Sequence, residues 1–147
     1  MRQKMFRRRS FIEYDTLGTT DSNVVLFTAE EVCTIRRIIG YIGVDNGGSS
    51  LRNVTNFSIE VAPNGTLTNT AFAGQSLDFN VTAEYLGGGL LLTGTSDTNN
   101  IIAQTDKVMW ETKGMRKMRK GDQLVISHSS ENANGRLSAY FDIFVSL

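Results

Sequence analysis

Apolar and polar residues alternate along much of this 147-residue sequence, whereas helical periodicity is almost absent. The cleanest example is SLDFNVTAEYL at 76–86, where Leu77, Phe79 and Val81 alternate with polar residues. A period of two places every second side chain on one face of a β-strand. Similar alternation, or a run rich in β-branched and aromatic residues, occurs at 23–27, 33–44, 54–62, 107–112, 123–128 and 136–147. The sequence therefore predicts an all-β protein.

Turn-forming residues separate these segments, and with the basic stretch at 113–122 the number of strands is about eight. The long polar segments 45–53, 63–75 and 87–106, the last of them glycine-rich, are predicted to be loops at the outer surface or between subunits. Because no helix crosses between the strands, neighbouring strands must be mainly antiparallel, and two packed sheets bury both inner faces. We expect a single eight-stranded antiparallel jelly-roll sandwich. One domain suits this length. We place a short, basic and flexible N-terminal arm at 1–16 and the jelly-roll shell domain at 17–147.

The residue content argues against catalysis and metal binding. Cys33 is the one cysteine and His128 the one histidine, so a cysteine zinc site, a disulfide framework and a histidine-built metal centre all lack ligands. Cys33 is predicted to pack in the core. We expect no enzymatic activity and no cofactor. The sequence also lacks a run of eighteen apolar residues and an apolar leader, which predicts a protein that is made and kept inside a cell and has no membrane partner.

Positive charge is concentrated in two segments of a chain whose formal net charge is zero. We call residues 1–10 the first basic island and residues 113–122, KGMRKMRKGD, the second basic island. Lys and Arg clusters gain affinity for polyanions by releasing counterions. The candidate nucleic-acid-binding residues are therefore Arg2, Lys4, Arg7, Arg8, Arg9, Lys113, Arg116, Lys117, Arg119 and Lys120.

Each basic island has a simpler interpretation. The first island is also typical of a solvated tail that binds nothing. The second is too short between its glycines for a stable helix, so we predict a basic strand end with Met115 or Met118 turned toward the core. Its partner is then either a nucleic acid or an acidic neighbouring subunit. KGD at 120–122 resembles an integrin-binding tripeptide, but a turn before a strand is favoured.

Two aromatic residues near the end of the chain also have alternative roles. Trp110 lies close in sequence to the second basic island, where an indole ring would stack on a base. Core packing is the favoured interpretation for both Trp110 and Phe144, since large aromatic side chains dominate protein cores.

The arginine-rich start, the β-only body and the closing stretch VMWETKGMRKMRKGDQLVISHSSENANGRLSAYFDIFVSL resemble a family of viral coat proteins. This family comprises the small single-jelly-roll capsid proteins of circular single-stranded DNA viruses known largely from environmental sampling, the CRESS-type viruses, and of satellite-type viruses. The likeness covers most of the chain and is clearest over 107–147.

The resemblance implies a capsid protein that self-assembles into a small icosahedral shell of about 60 copies or a multiple of that number. It further implies that basic residues package nucleic acid, here single-stranded DNA, and that the protein is part of a virion assembled inside the host cell. The alternative is a non-enzymatic jelly-roll binding module: a trimeric carbohydrate or receptor binder, or a phage accessory protein.

Overall fold

The computed structural model describes residues 5–16, 18–19, 22–45, 52–65, 70–71, 77–86, 89–96, 100–103, 107–112, 116–132 and 135–147. In chain order the strands are β1 (Met5–Thr16), β2 (Ser22–Thr28), β3 (Cys33–Val44), β4 (Asn53–Ala62), β5 (Thr70–Ala71), β6 (Asp78–Leu86), β7 (Gly89–Thr95), β8 (Asn100–Ala103), β9 (Val108–Thr112), β10 (Arg116–Met118), β11 (Gln123–Ser130) and β12 (Arg136–Ser146). A short 3-10 turn at Pro63–Gly65 follows β4.

These strands form two six-stranded sheets. Sheet A has the order β1-β12-β3-β9-β8, and β10 pairs with β3 beyond the end of β9. Sheet B has the order β2-β11-β4-β6-β7, and β5 pairs with β4. Every described strand pair is antiparallel. The prediction of an all-β sandwich of two antiparallel sheets is confirmed.

Aromatic rings join the inner faces of the two sheets. Phe57 and Phe79, on neighbouring strands of sheet B, stack with ring centroids 4.8 Å apart. Phe79 in turn stacks on Trp110 of sheet A at 4.9 Å. Trp110 is fully buried at 0% exposure, so the core interpretation of this residue is correct and base stacking is wrong. Cys33 and Met118 are buried in the same core, as predicted.

The flexible arm predicted for residues 1–16 is wrong for residues 5–16. These residues form β1, the edge strand of sheet A, and pair with β12 from Met5 opposite Ser146 to Thr16 opposite Arg136. Ile12 is buried in the core. The burial of Ile12, the packing of Phe6 against the core and the pairing with β12 outweigh the repulsion within the arginine run. Residues 1–4 lie outside the described residues.

The glycine-rich connection predicted for 87–106 also contains structure. β7 forms a hairpin with β6, and β8 pairs with β9. Gly94 of β7 serves close packing, because a Cβ atom there would lie 2.6 Å from the side chain of Ile101. With these strands, β1 and the short β5, the described chain has twelve strands where eight were predicted. Of the other predicted surface loops, 46–51, 66–69 and 72–75 lie outside the described residues.

Candidate nucleic-acid interface

Charged residues are segregated between the two sheets. The strands of sheet A contain eight Lys or Arg and four Asp or Glu, a surplus of four positive charges. The strands of sheet B contain no Lys or Arg and three Asp or Glu. The sandwich therefore has a positive layer and a negative layer, and a polyanion is attracted to one side of it.

Residues from both basic islands lie on the outer face of sheet A. Arg7 and Arg9 alternate with core-facing residues along β1, so both lie on the outer face, and both are exposed. Lys117 of β10 is exposed and lies opposite Thr34 of β3. Since β12 and β3 separate β1 from β10, the two islands are three strand spacings apart, or about 14 Å.

Two arginines that were not among the predicted binding residues lie between the islands. Arg36 and Arg37 are on β3, at a register shift opposite Phe144 and Val145 of β12. Arg36 donates a hydrogen bond to Ser146 Oγ, and Arg37 donates one to Glu111 Oε2, both at 2.8 Å. We call the set Arg7, Arg9, Arg36, Arg37 and Lys117 the basic face.

Phe144 lies beside the residues of the basic face and not in the core, contrary to prediction. Its ring is half-buried on the outer side of β12, and the guanidinium of Arg37 lies 5.7 Å from the ring centroid. Cation–π contacts of this kind hold an arginine against the sheet while leaving its charge in place. The basic face is thus a fixed surface, in contrast to a mobile arm.

Asp142 is the acidic counterpart within this surface. Arg9 donates two hydrogen bonds to its carboxylate, at 2.7 Å from Nε and 3.0 Å from Nη2. These bonds lower the pKa of Asp142 below its ordinary value, and the charges of Arg9 and Arg7 lower it further, against the opposing effect of desolvation. The same pairing fixes the edge strand β1 on β12.

Arg8, Arg116, Arg119 and Lys120 do not lie on the basic face. Arg8 is on the opposite side of β1, where it lines a cavity of about 320 Å³ beside Phe6. Arg116 is half-buried, and Arg119 and Lys120 are in the turn before β11. Arg2, Lys4, Lys113 and Met115 lie outside the described residues.

The KGD sequence at 120–122 forms a turn, as predicted. Asp122 accepts a backbone hydrogen bond from Asn64 at Oδ1 and one from Arg119 at Oδ2, both at 2.9 Å. Desolvation raises the pKa of Asp122, but these bonds and the charges of Arg116 and Arg119 outweigh it and lower the pKa. Gly121 has a φ of 93°, which favours glycine. The carboxylate therefore holds the turn together.

The outer face of sheet B carries no basic side chain among its described strands, and it exposes Val25 and Leu91 beside its polar residues. A shallow depression of about 430 Å³ there is lined by Ser and Asn side chains together with Glu60 and Asp78. This surface repels phosphate where the basic face attracts it. The two outer faces therefore suit different environments.

Cys33 and His128, the residues considered for nucleophilic and metal chemistry, are both buried. No three His, Cys, Asp or Glu side chains in the described ranges are grouped so that they would hold a metal ion. Burial raises the pKa of the Cys33 thiol, which disfavours the reactive thiolate. His128 is buried beside Phe57, with ring centroids 6.2 Å apart. The described part of the chain also has no helix of the length and hydrophobicity that crossing a bilayer requires.

Comparison with known proteins gives remote structural likenesses only. No protein-family model and no curated protein sequence matches the chain. A solved structure of Desmodium yellow mottle tymovirus is similar at a TM-score of 0.41 and 12% identity, over 99% of this chain and 82% of that chain.

The infectious bursal disease virus Gx strain is similar at a TM-score of 0.30 and 10% identity, over 99% of this chain and 40% of that chain. The VP2 subviral particle of the same virus is similar at a TM-score of 0.26 and 8% identity, over 99% of this chain and 42% of that chain. All three structures are viral, but similarity this low assigns neither a fold family nor a function to this chain.

Replacing Asp142 with asparagine tests the pairing on the basic face. A carboxylate with a lowered folded-state pKa stabilises the fold above its unfolded pKa, and this contribution is lost as pH falls through the folded pKa. We expect Asp142→Asn to unfold at lower denaturant concentration than wild type at pH 7, and the difference to shrink as pH falls below the ordinary Asp pKa of about 3.9. Denaturant unfolding followed at several pH values checks this. A difference that is independent of pH would contradict it.

Proposed function

We propose that this chain is the coat protein of a small virus and that the basic face of sheet A meets the packaged nucleic acid. The observation that carries this proposal is the charge segregation: all Lys and Arg of the described strands are in sheet A, and sheet B is acidic. A shell must hold a polyanion on one side and face solvent on the other, and this sandwich is polarised in that way.

Strand pairing supports the finer proposal that the sandwich is a jelly roll. Eight strands remain when β5, β7, β8 and β10 are set aside. Among these, the first pairs with the eighth, the second with the seventh, the third with the sixth and the fourth with the fifth. A long antiparallel hairpin rolled into two sheets has this pairing, which is that of a jelly roll, an architecture common in viral capsids.

The proposal includes self-assembly into an icosahedral shell of about 60 copies or a multiple, packaging of single-stranded DNA, and a virion assembled in the host cell. Arg2, Lys4 and Lys113 are proposed to add to the binding surface, since they adjoin β1 and β10 in sequence. Arg8, Arg116, Arg119 and Lys120 are proposed to contribute only at its margin, because they lie away from the basic face.

Electron microscopy of the purified full chain tests the proposal. We expect closed particles of uniform diameter, and after nuclease treatment the particles should still contain protected nucleic acid. A discrete trimer that never grows, with no bound nucleic acid at low salt, would support the binding-module alternative instead. Deletion of residues 2–9 is a poor control because it removes part of β1, so charge-removing substitutions are preferable.

A further inference from the structure

A row of apolar side chains crosses the outer face of sheet A. Its members are register partners on neighbouring strands: Phe11 of β1, Tyr140 of β12, Tyr41 of β3, Met109 of β9 and Ile102 of β8. The row spans four strand spacings, or about 19 Å. Phe11 and Ile102, at its two ends, are 59% and 53% exposed. We call this set the apolar row.

Three rings occupy one half of the apolar row. Tyr140 and Tyr41 stack with centroids 4.6 Å apart and planes 22° apart. Phe11 adjoins Tyr140 at 6.3 Å with planes tilted by 45°, so its ring is not covered by a flat neighbour there. Phe11 is therefore an exposed ring next to the stacked pair Tyr140 and Tyr41.

Arginines of the basic face adjoin this stack. The guanidinium of Arg9 lies 4.8 Å from the Tyr140 ring centroid. Arg9 and Arg7 are two and four residues from Phe11 on the same side of β1, or about 7 and 13 Å along the strand. Because Arg9 shares its charge with Asp142, Arg7 is the stronger attractor of phosphate on this strand, about 13 Å from a ring on which a base can stack.

We infer that the apolar row is a base-stacking site that selects single-stranded over double-stranded nucleic acid, with Phe11 as the main stacking residue. This inference rests on the proposed function. A duplex hides its base faces in its own stack and offers the sheet only phosphates, whereas a single strand also presents free base faces. Aromatic rings combined with a positive surface are the usual means of binding single strands without sequence preference.

Charge complementarity favours nucleic acid over a second copy of the chain as the occupant. A second copy would offer Arg7 and Arg9 only the three acidic residues of the sheet B strands, whereas a nucleic acid offers a phosphate at every nucleotide and bases for the row. The sandwich's own acidic surface, on sheet B, lacks exposed rings among its described residues to match the row. A copy–copy contact is therefore one outcome of the test.

The test measures affinity of the full chain for fluorescent oligo(dT) and for a duplex with the same number of phosphates, at low salt. We expect Phe11→Ala to weaken oligo(dT) binding at least about fivefold, since one stacked base contributes that much or more, and to leave duplex binding unchanged. Phe11→Leu should behave like Phe11→Ala, and Phe11→Trp should bind as wild type. Leu91→Ala, a similarly exposed apolar position on β7 of sheet B and outside the apolar row, is the matched control.

Each result has one meaning. If wild type binds both nucleic acids equally and Phe11→Ala changes neither, the inference is wrong while the proposed function stands. If Phe11→Ala and Ile102→Ala instead alter the sedimentation of the assembled protein and not its affinity, the row joins copies and the inference is wrong. If wild type binds neither nucleic acid, the proposed function itself has failed.

Discussion

Replacing Trp110 with alanine is expected to lower the free energy of unfolding by about 3–5 kcal/mol, the cost of truncating a buried Trp or Phe. Trp110 is fully buried and stacks on Phe79, which stacks on Phe57. Its removal leaves a cavity between the two sheets that neither can fill. Since a domain of this kind has only about 5–15 kcal/mol of stability, the variant is expected to be partly unfolded at 37 °C.

The matched variant Trp110→Phe separates loss of volume from loss of a hydrogen bond. No described residue accepts a hydrogen bond from the buried Trp110 Nε1. The substitution therefore removes an unsatisfied donor while keeping a ring against Phe79, and we expect less than half the cost of the alanine variant. Urea unfolding followed by circular dichroism measures the free energy of unfolding of both variants. Tryptophan fluorescence is unsuitable because both variants lack the indole. Equal costs for the two variants would show that Nε1 has a partner and contradict this account.

Most of the strands were predictable from sequence because one face of each strand packs against the core and the other face is turned to solvent. The segment 33–44 coincides with β3, and 54–62 differs from β4 by one residue. In such strands the side chains that face the core set the two-residue period. The sequence pattern and the burial therefore report the same physical constraint.

β1 was not predictable in this way because its stability depends on distant residues. Three consecutive arginines are typical of a solvated segment when their surroundings are unknown. In the structure Arg9 pairs with Asp142, which is 133 residues away in the chain. β7 was missed for the opposite reason: its glycines suggested a loop, but Gly94 is needed where Ile101 and Val108 approach closely.

The candidate binding surface was only half predictable. Charge runs drew attention to both basic islands, but Arg36 and Arg37 are a single pair within an otherwise apolar strand, where they suggested alternation and not a site. The pairing of β12 and β10 with β3 brings them between the islands. The apolar row is invisible in sequence for the same reason, since its five members come from five strands.

Removing three charges from the basic face is expected to have the largest effect on nucleic-acid binding. The triple variant Arg7→Gln, Arg36→Gln, Lys117→Gln removes side chains from β1, β3 and β10 that lie on one face. Each phosphate contact by a cation contributes about 0.7 to the slope of log K against log salt for a single strand. If all three contact phosphate, the slope should fall by about two, with affinity at low salt falling strongly.

A second triple variant with the same change in net charge is the control. Arg52, Lys107 and Arg136 lie at the opposite end of the sandwich, next to Asn53, Val108 and Leu137, and their replacement with glutamine should leave the slope nearly unchanged. Salt titrations of oligo(dT) binding measure both variants. Equal losses in the two would mean that only net charge matters, and the basic face would not be a site. If only the first variant loses slope and affinity, phosphates must contact the basic face on the outer side of sheet A. Arg7, Arg36 and Lys117 share that surface.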